Sequence, residues 1–236
     1  MTDFGESLLA PAALRPSEYT AALVHALNLE PERVHGVSAL EIGSGSGVVL
    51  AVLAGLGAAA LYGIDVEDDA VLAGSLLLRE LGHEARCQIH KGDMWQPVEG
   101  RRFDLIAANL PHFPMQDHEV PGRHPTWSAG GPDGRRWLDP FLRGLPGHLE
   151  DGGRAVLTHN GFVGLDASRE ILAGSGLTLR VIESVFVPIG PEKLELMSPA
   201  VLEIEEGKSI HRYGPYAFAD MHVVEVTADK RAANAR

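Results

Sequence analysis

The sequence predicts an α/β domain with a doubly wound, mostly parallel sheet, and three observations predict it. Short apolar runs alternate with helical patterns from about residue 38 onward, the arrangement that covers a parallel sheet with helices on both faces. A glycine-rich stretch, EIGSGSG (41–47), joins the first run to the first helical pattern. The unusual polar residues gather at the ends of the runs, where open sheets of this kind bind ligands.

Each element has its own signal. Residues 1–35 hold one short helical pattern, SEYTAALVHALN (17–28), and read as a cap segment on a main domain over 36–236. SALEIG (38–43) is a buried strand and SGVVLAVLAGLG (46–57) the helix after it. ALYGID (60–65) is the second strand, and 67–82 a helix with apolar residues at helical spacing. ARCQIHKGD (85–93) and FDLIAAN (103–109) are the third and fourth strands. A helix is expected within 134–153, ended by glycines and interrupted in pattern by Pro140 and Pro146. RAVLTHN (154–160) is a strand, 166–176 a helix, LTLRVIESVFVPI (177–189) a strand, and HVVEVTA (222–228) ends the ordered chain. Residues 190–220 exceed a simple connection and suggest a hairpin or lid inserted in the domain.

Composition narrows the class. A formal net charge of −12 disfavours a nucleic-acid partner. Cys87 is the single cysteine, so no internal disulfide forms, and a small buried strand residue is its expected role. No run of eighteen apolar residues suggests a membrane span. The first twenty residues lack the basic start and apolar stretch of a signal peptide, so the cytoplasm is the expected compartment.

Four features at successive strand ends point to one cofactor. Gly43, Ser44 and Gly45 form a turn against which a ligand can lie on the backbone. That turn alone also fits a dinucleotide. Asp65, about twenty residues on, ends the second strand and can accept both hydroxyls of a ribose. Asp93 ends the third and can accept from an adenine amino group, with Met94 and Trp95 able to cover the purine. Glu41 argues for one ligand over the other: its carboxylate would repel a pyrophosphate but attract the cationic amino-acid end of S-adenosylmethionine (SAM). The pattern resembles a class I SAM-dependent methyltransferase.

After the fourth strand stands Asn109-Leu110-Pro111-His112. Many methyltransferases of this class that modify a planar nitrogen carry Asn-Pro-Pro-Tyr there. In them the Asn side-chain oxygen and the next residue's carbonyl accept both N–H bonds and orient the nitrogen towards the SAM methyl. Here Asn109 is present, Leu110 keeps its carbonyl, and Pro111 pushes Leu110 towards an extended backbone. His112, beside Phe113, replaces the stacking phenol.

PSEYTAALVHAL (16–27) and TWSAGGPDGRRWLDPFL (126–142) are similar to segments of the HemK-type methyltransferases, the likeness covering roughly 16–189 and lying closest to their compact branch. The resemblance implies a seven-stranded sheet with an antiparallel last strand, and methylation of the glutamine amide in the Gly-Gly-Gln motif of release factors. By motif match it implies that Thr20, Glu41, Gly43, Asp65, Asp93, Met94 and Asn109 hold cofactor and substrate. Leu110, His112 and the 190–220 insertion depart from it.

Other readings fit some of the same residues. A small-molecule N- or O-methyltransferase would use 190–220 as a lid and His112 as general base. A nucleic-acid base methyltransferase is disfavoured by charge, and a SAM-binding protein without catalysis would also fit the altered tetrapeptide. His112, His118 and His124, with Asp117 and Glu119, recur at a spacing of six that matches no metal-ligand set, so no metal is expected. Arg101-Arg102 and Arg135-Arg136 read as solvated faces. Neither oligomeric state nor a partner subunit is written in the sequence.

Overall fold

A computed structural model describes residues 15–118 and 128–228. Glu119 and His124, residues 126–127 of the HemK-like segment and the first fourteen residues of the cap segment lie outside the described residues. The strands are β1 (Ser38–Ile42), β2 (Ala60–Asp65), β3 (Cys87–Lys91), β4 (Phe103–Ala108), β5 (Leu149–Asn160), β6 (Leu177–Ile189), β7 (Ile210–Tyr213) and β8 (Tyr216–Ala228). The helices are α1 (Glu18–Asn28), α2 (Val48–Gly55), α3 (Asp68–Glu80), α4 (Leu138–His148), α5 (Leu165–Ala173), α6 (Pro191–Leu196) and α7 (Pro199–Glu205).

Sheet order is β3-β2-β1-β4-β5-β8-β6, with β7 added against β8. The pairs from β3 through β5 are parallel, and β8 runs antiparallel between β5 and β6. The expected seven strands and antiparallel last strand are therefore present, and β7 is an eighth from the insertion. The chain winds outward from β1 to β3, then returns to β4 on the other side. That reversal opens a crevice at the carboxyl ends of β1 and β4.

Central strands read as unbroken apolar runs because both faces are covered. In β4 only Asp104 escapes burial, and its carboxylate accepts from the backbone N–H and hydroxyl of Ser38, 2.8 Å each, locking β4 beside β1. The large side chains Phe103, Leu105, Ile106, Leu40 and Phe141 are fully buried, each contributing about 1.5–3 kcal/mol.

Three expectations change. The helix expected within 134–153 occupies Leu138–His148, and Asp151-Gly152-Gly153 belong to β5. Pro140 falls in its first turn, where N–H groups have no helical partner, so that proline costs little; Pro146 stands inside the helix. The last strand begins at Tyr216, not 222, because Ala217, Ala219 and Met221 alternate inward, the first two with small side chains. Arg135 is no solvated face: its side chain is 12% exposed, pairs with Asp139 at 2.7 Å, and donates to the Val163 carbonyl and Ser168 Oγ.

Glu225 on β8, 3% exposed, collects Arg33 at 2.8 Å, Arg180 at 2.8 Å and Arg154 at 3.1 Å. Burial alone would raise its carboxyl, but the hydrogen bonds of Arg180 and Arg154 and the charge of Arg33 hold it below the usual value. This cluster ties the segment after α1 to the sheet.

The insertion resolves into α6, α7 and the β7–β8 hairpin, closed by Gly214 at φ 63° and Pro215. No helix among the described residues is long and apolar enough to cross a membrane.

Candidate active site

The crevice is a cleft of about 820 Å³. Its floor is the glycine turn after β1, its sides the ends of β2 and the Gly92–Met94 turn, and its far wall the tetrapeptide after β4. The start of α1 and residues 188–193 reach over it. Of the predicted site residues, Thr20, Glu41, Gly43, Ser44, Gly45, Asp65, Asp93, Met94, Asn109, Leu110, Pro111 and His112 all line this one cleft.

The glycine turn is pinned to β2. The N–H groups of Gly43 and Ser44 donate to the Ile64 carbonyl at 2.8 and 3.0 Å. Gly45 N–H donates to Asp65 Oδ2 at 2.8 Å, and Glu67 N–H to Oδ1 at 3.0 Å. A carboxylate offers about four acceptor sites, so Asp65 shapes the turn and keeps capacity for a ligand. Gly47, at φ +78°, has the Cα of Gly74 only 2.7 Å from where a Cβ would stand. Glycine is required there on both counts, and α2 and α3 meet through that contact.

Glu41 is 2% exposed. One carboxyl oxygen accepts from the backbone of Leu50 in the first turn of α2, while Oε2 has no partner. Burial, and after it the neighbouring Asp65 carboxylate, push its pKa well above the usual range. Ser44 Oγ is likewise buried and unpartnered. Such orphans on a cleft floor are what a bound cation and polar ligand would satisfy.

Asp93 and Met94 stand where expected, with Met94 at φ 49°, the one positive-φ residue other than glycine among the described residues. Trp95 does not follow them. Its indole stacks on His148 at 4.3 Å and Phe141 at 5.3 Å and donates to the Pro140 carbonyl. Gly144 leaves room for it: a Cβ there would lie 2.0 Å from the indole nitrogen. Trp95 packs α4 and is absent from the cleft lining.

At the far wall, the Asn109 carboxamide is held at both ends. Thr158 Oγ1 donates to its Oδ1 at 2.8 Å, and its Nδ2 donates to Thr20 Oγ1 at 3.3 Å. Leu110 is buried, its Cδ2 3.5 Å from the Cβ position of Gly43, so it joins this far wall to the glycine turn. His112 is 2% exposed, with Nδ1 unpartnered and its ring 5.6 Å from Tyr19. Burial first, then the charges of His159 and Lys193, hold its pKa down at about 3. A general base near neutrality, as the small-molecule reading required, is not what this ring offers. Phe113 packs on Phe162 and Tyr19, with Lys193 Nζ 4.1 Å over its ring.

Cys87 is half-buried, and burial, then Glu41, raise its thiol to about 11, consistent with a packing role. Asp117 pairs with Arg136 at 2.6 Å. Among the described residues no group of three His, Cys, Asp or Glu could hold a metal. Sequence reasoning missed Thr158, Tyr19, Glu192 and Lys193; Thr158 alone left a trace, a hydroxyl inside the apolar run AVLTHN.

Residues 40–120 match the family described as a methyltransferase domain. A Methanocaldococcus jannaschii chain named a protein N5-glutamine methyltransferase is 27% identical over 183 residues, covering 76% of this chain and 88% of that one. The chain is a SAM-dependent methyltransferase. A Moorella thermoacetica release factor glutamine methyltransferase is 30% identical over 63% of this methyltransferase and 55% of its own length, so the chain spans about half of that longer bacterial relative. Among solved structures, the E. cuniculi Mtq2–Trm112 complex, described as responsible for methylation of eRF1, aligns with TM-score 0.54 and 16% identity over 92% of this chain and 99% of that one. The T. thermophilus 16S rRNA methyltransferase RsmC, with AdoMet and guanosine, aligns at TM-score 0.58 and 19% identity over 91% of this chain and 44% of that one. At these identities the structures bear on the fold alone.

Proposed function

We propose that this methyltransferase modifies the side-chain amide nitrogen of a protein glutamine, in a release-factor-type Gly-Gly-Gln loop. We also propose that SAM is held by Thr20, Glu41, Gly43, Ser44, Gly45, Asp65, Asp93, Met94 and Asn109. Bound SAM supplies an electrophilic methyl group on a sulfonium. The chain's own residues fit that ligand: the orphan Glu41 oxygen suits an ammonium, the glycines of the turn a close backbone approach, and Asp65 a pair of hydroxyls.

The observation that carries the acceptor reading is the Asn109 carboxamide, buttressed by Thr158 and Thr20 on the wall facing the glycine turn. An amide nitrogen is a weak nucleophile because its lone pair is delocalised, so orientation has to supply much of the acceleration. Asn109 Oδ1 uses one lone pair on Thr158 and keeps another for an acceptor N–H. The Leu110 carbonyl takes the second N–H, with Pro111 restricting Leu110 to the extended backbone that presents it. Transfer would form the N–C bond as the sulfonium's S–CH3 bond breaks, its electron pair returning to sulfur as a neutral thioether. The cationic amide nitrogen would then be strongly acidic and shed its proton to water, so the chemistry makes no demand for a base near pH 7. The depressed pKa of His112 agrees with that route and counts against His112 as base.

The test is transfer of labelled methyl from SAM to a purified release factor. Label should appear on the Gly-Gly-Gln glutamine and vanish when that glutamine is changed to alanine. Label elsewhere, or none on this protein alongside turnover of a small amine, would overturn the assignment.

A further inference from the structure

We infer that Thr158 is a positioning residue for methyl transfer, its hydroxyl fixing which edge of the Asn109 carboxamide faces the acceptor. The inference rests on the acceptor role proposed for Asn109.

A carboxamide is nearly symmetric in shape, and its terminal torsion is broad and roughly two-fold. Turned over, Asn109 would offer an NH2 to an acceptor NH2, donor against donor. Something has to break that symmetry, and β-sheet register supplies it. Ala108 on β4 pairs with Leu157 on β5, so the next residues, Asn109 and Thr158, emerge side by side at the carboxyl end. Thr158 is 1% exposed, and its hydroxyl donates 2.8 Å to Asn109 Oδ1. A buried hydroxyl without a partner is costly, so this bond has a strong preference for an oxygen acceptor.

Thr20 fits the same orientation from the other end. Its Oγ1 accepts from the backbone N–H of Ser17 at 3.3 Å, within the capping box of α1, and from Asn109 Nδ2 at 3.3 Å. Those two donors occupy both lone pairs of the hydroxyl oxygen. With the carboxamide turned over, Thr158 Oγ1 could accept from Nδ2, but its own proton would then lack an acceptor in a buried site, whereas Thr20, half-buried on the cleft wall, can turn its proton to the cleft. Oδ1 towards Thr158 is the arrangement that leaves the buried hydroxyl satisfied.

Thr158→Val keeps the β-branched shape and removes the hydroxyl; Thr158→Ser restores it. With labelled SAM and a release factor carrying Gly-Gly-Gln, Thr158→Val should lower kcat about tenfold, with KM for SAM within about twofold. Thr158→Ser should recover most of the rate. In an Asn109→Ala background, Thr158→Val should have no further effect, since its route to the acceptor is gone. A substrate-free readout is the Asn109 side-chain NH2 pair in an 15N-resolved spectrum, assigned by its loss in Asn109→Ala. These resonances should move in Thr158→Val and return in Thr158→Ser. Unchanged kcat or unmoved resonances in Thr158→Val, or an equal further loss in the double variant, would overturn the inference. Full turnover in Asn109→Ala would instead sink the parent acceptor reading, and this inference with it.

Discussion

Binding of SAM should expel a proton from Glu41. The carboxyl is buried, has one partner in Leu50 and none at Oε2, and shares its neighbourhood with Asp65; its pKa is raised well above the usual range. An ammonium about 4 Å away, at an effective dielectric near 20, would favour the charged form by about 4 kcal/mol. That is roughly three pKa units. Over the pH range between the bound and free pKa values, affinity should rise about tenfold per unit of pH, about 1.4 kcal/mol. The window to use lies below about pH 7, where the cofactor's own α-amino group stays charged. Isothermal titration in two buffers of different ionisation enthalpy counts the protons, and up to about one should be released per SAM between the bound and free pKa values, falling towards none at more acid pH. Glu41→Gln mimics the protonated carboxyl, so its affinity should be flat with pH and match the acid limit of the wild type. A pH-independent affinity in the wild type, or an identical slope in Glu41→Gln, would refute the reasoning.

Three further outcomes are expected. Gly47→Ala combines a left-handed φ with a Cβ 2.7 Å from the Gly74 backbone, so urea denaturation should show a loss of about 3 kcal/mol, and unchanged stability would mean the α2–α3 contact is looser than drawn. Glu225→Ala leaves Arg154, 5% exposed, with only the partly exposed Glu30 carboxylate at 3.1 Å and should cost about 3 kcal/mol, the lower end for a broken buried pair; a loss below about 1 kcal/mol would show the cluster to be solvated. His112 and His159 are both held down at about 3 by burial, so the unfolded chain takes up protons below about pH 6.5 that the folded chain refuses until far lower. Stability should therefore fall as pH drops below about 6.5, by up to about 1.4 kcal/mol per unit for each histidine, and denaturation at several pH values should find roughly half that slope in His159→Gln.

β1 and β4 were legible because they are buried on both faces and read as apolar runs, one ended by Gly43 and the other by Asn109; β2 and β3, more exposed, were marked by Asp65 and Asp93 at or just after their ends. β2 and β6 were placed to the residue. The polar site residues were legible for a different reason: each is chemically out of place at the end of such a run. What escaped depends on neighbours far along the chain. Thr158 matters only because β5 lies beside β4, and Arg135 is buried only because its guanidinium meets Val163 and Ser168 on a later segment. Trp95 misled because an aromatic beside Asp93 looks like a purine platform, whereas Gly144 offers it a better seat. The start of β8 was hidden by alanines, whose inward alternation carries little hydrophobic signal.

The pairing of Ile189 with Ala217 divides the molecule along an exchangeable seam. Two long antiparallel strands enter and leave the excursion of residues 190–216 side by side, so its length can change at small entropic cost while the ribbon beneath keeps its register. The excursion sends Glu192 and Lys193 to the cleft mouth, whereas the glycine turn, Asp65 and Asp93 belong to elements that precede it. A lineage could therefore trade one excursion for another and acquire a new acceptor without relearning how to bind its methyl donor. The same seam offers a protein engineer a cassette boundary, provided the replacement covers the core that Met197 and Ile210 now help to bury.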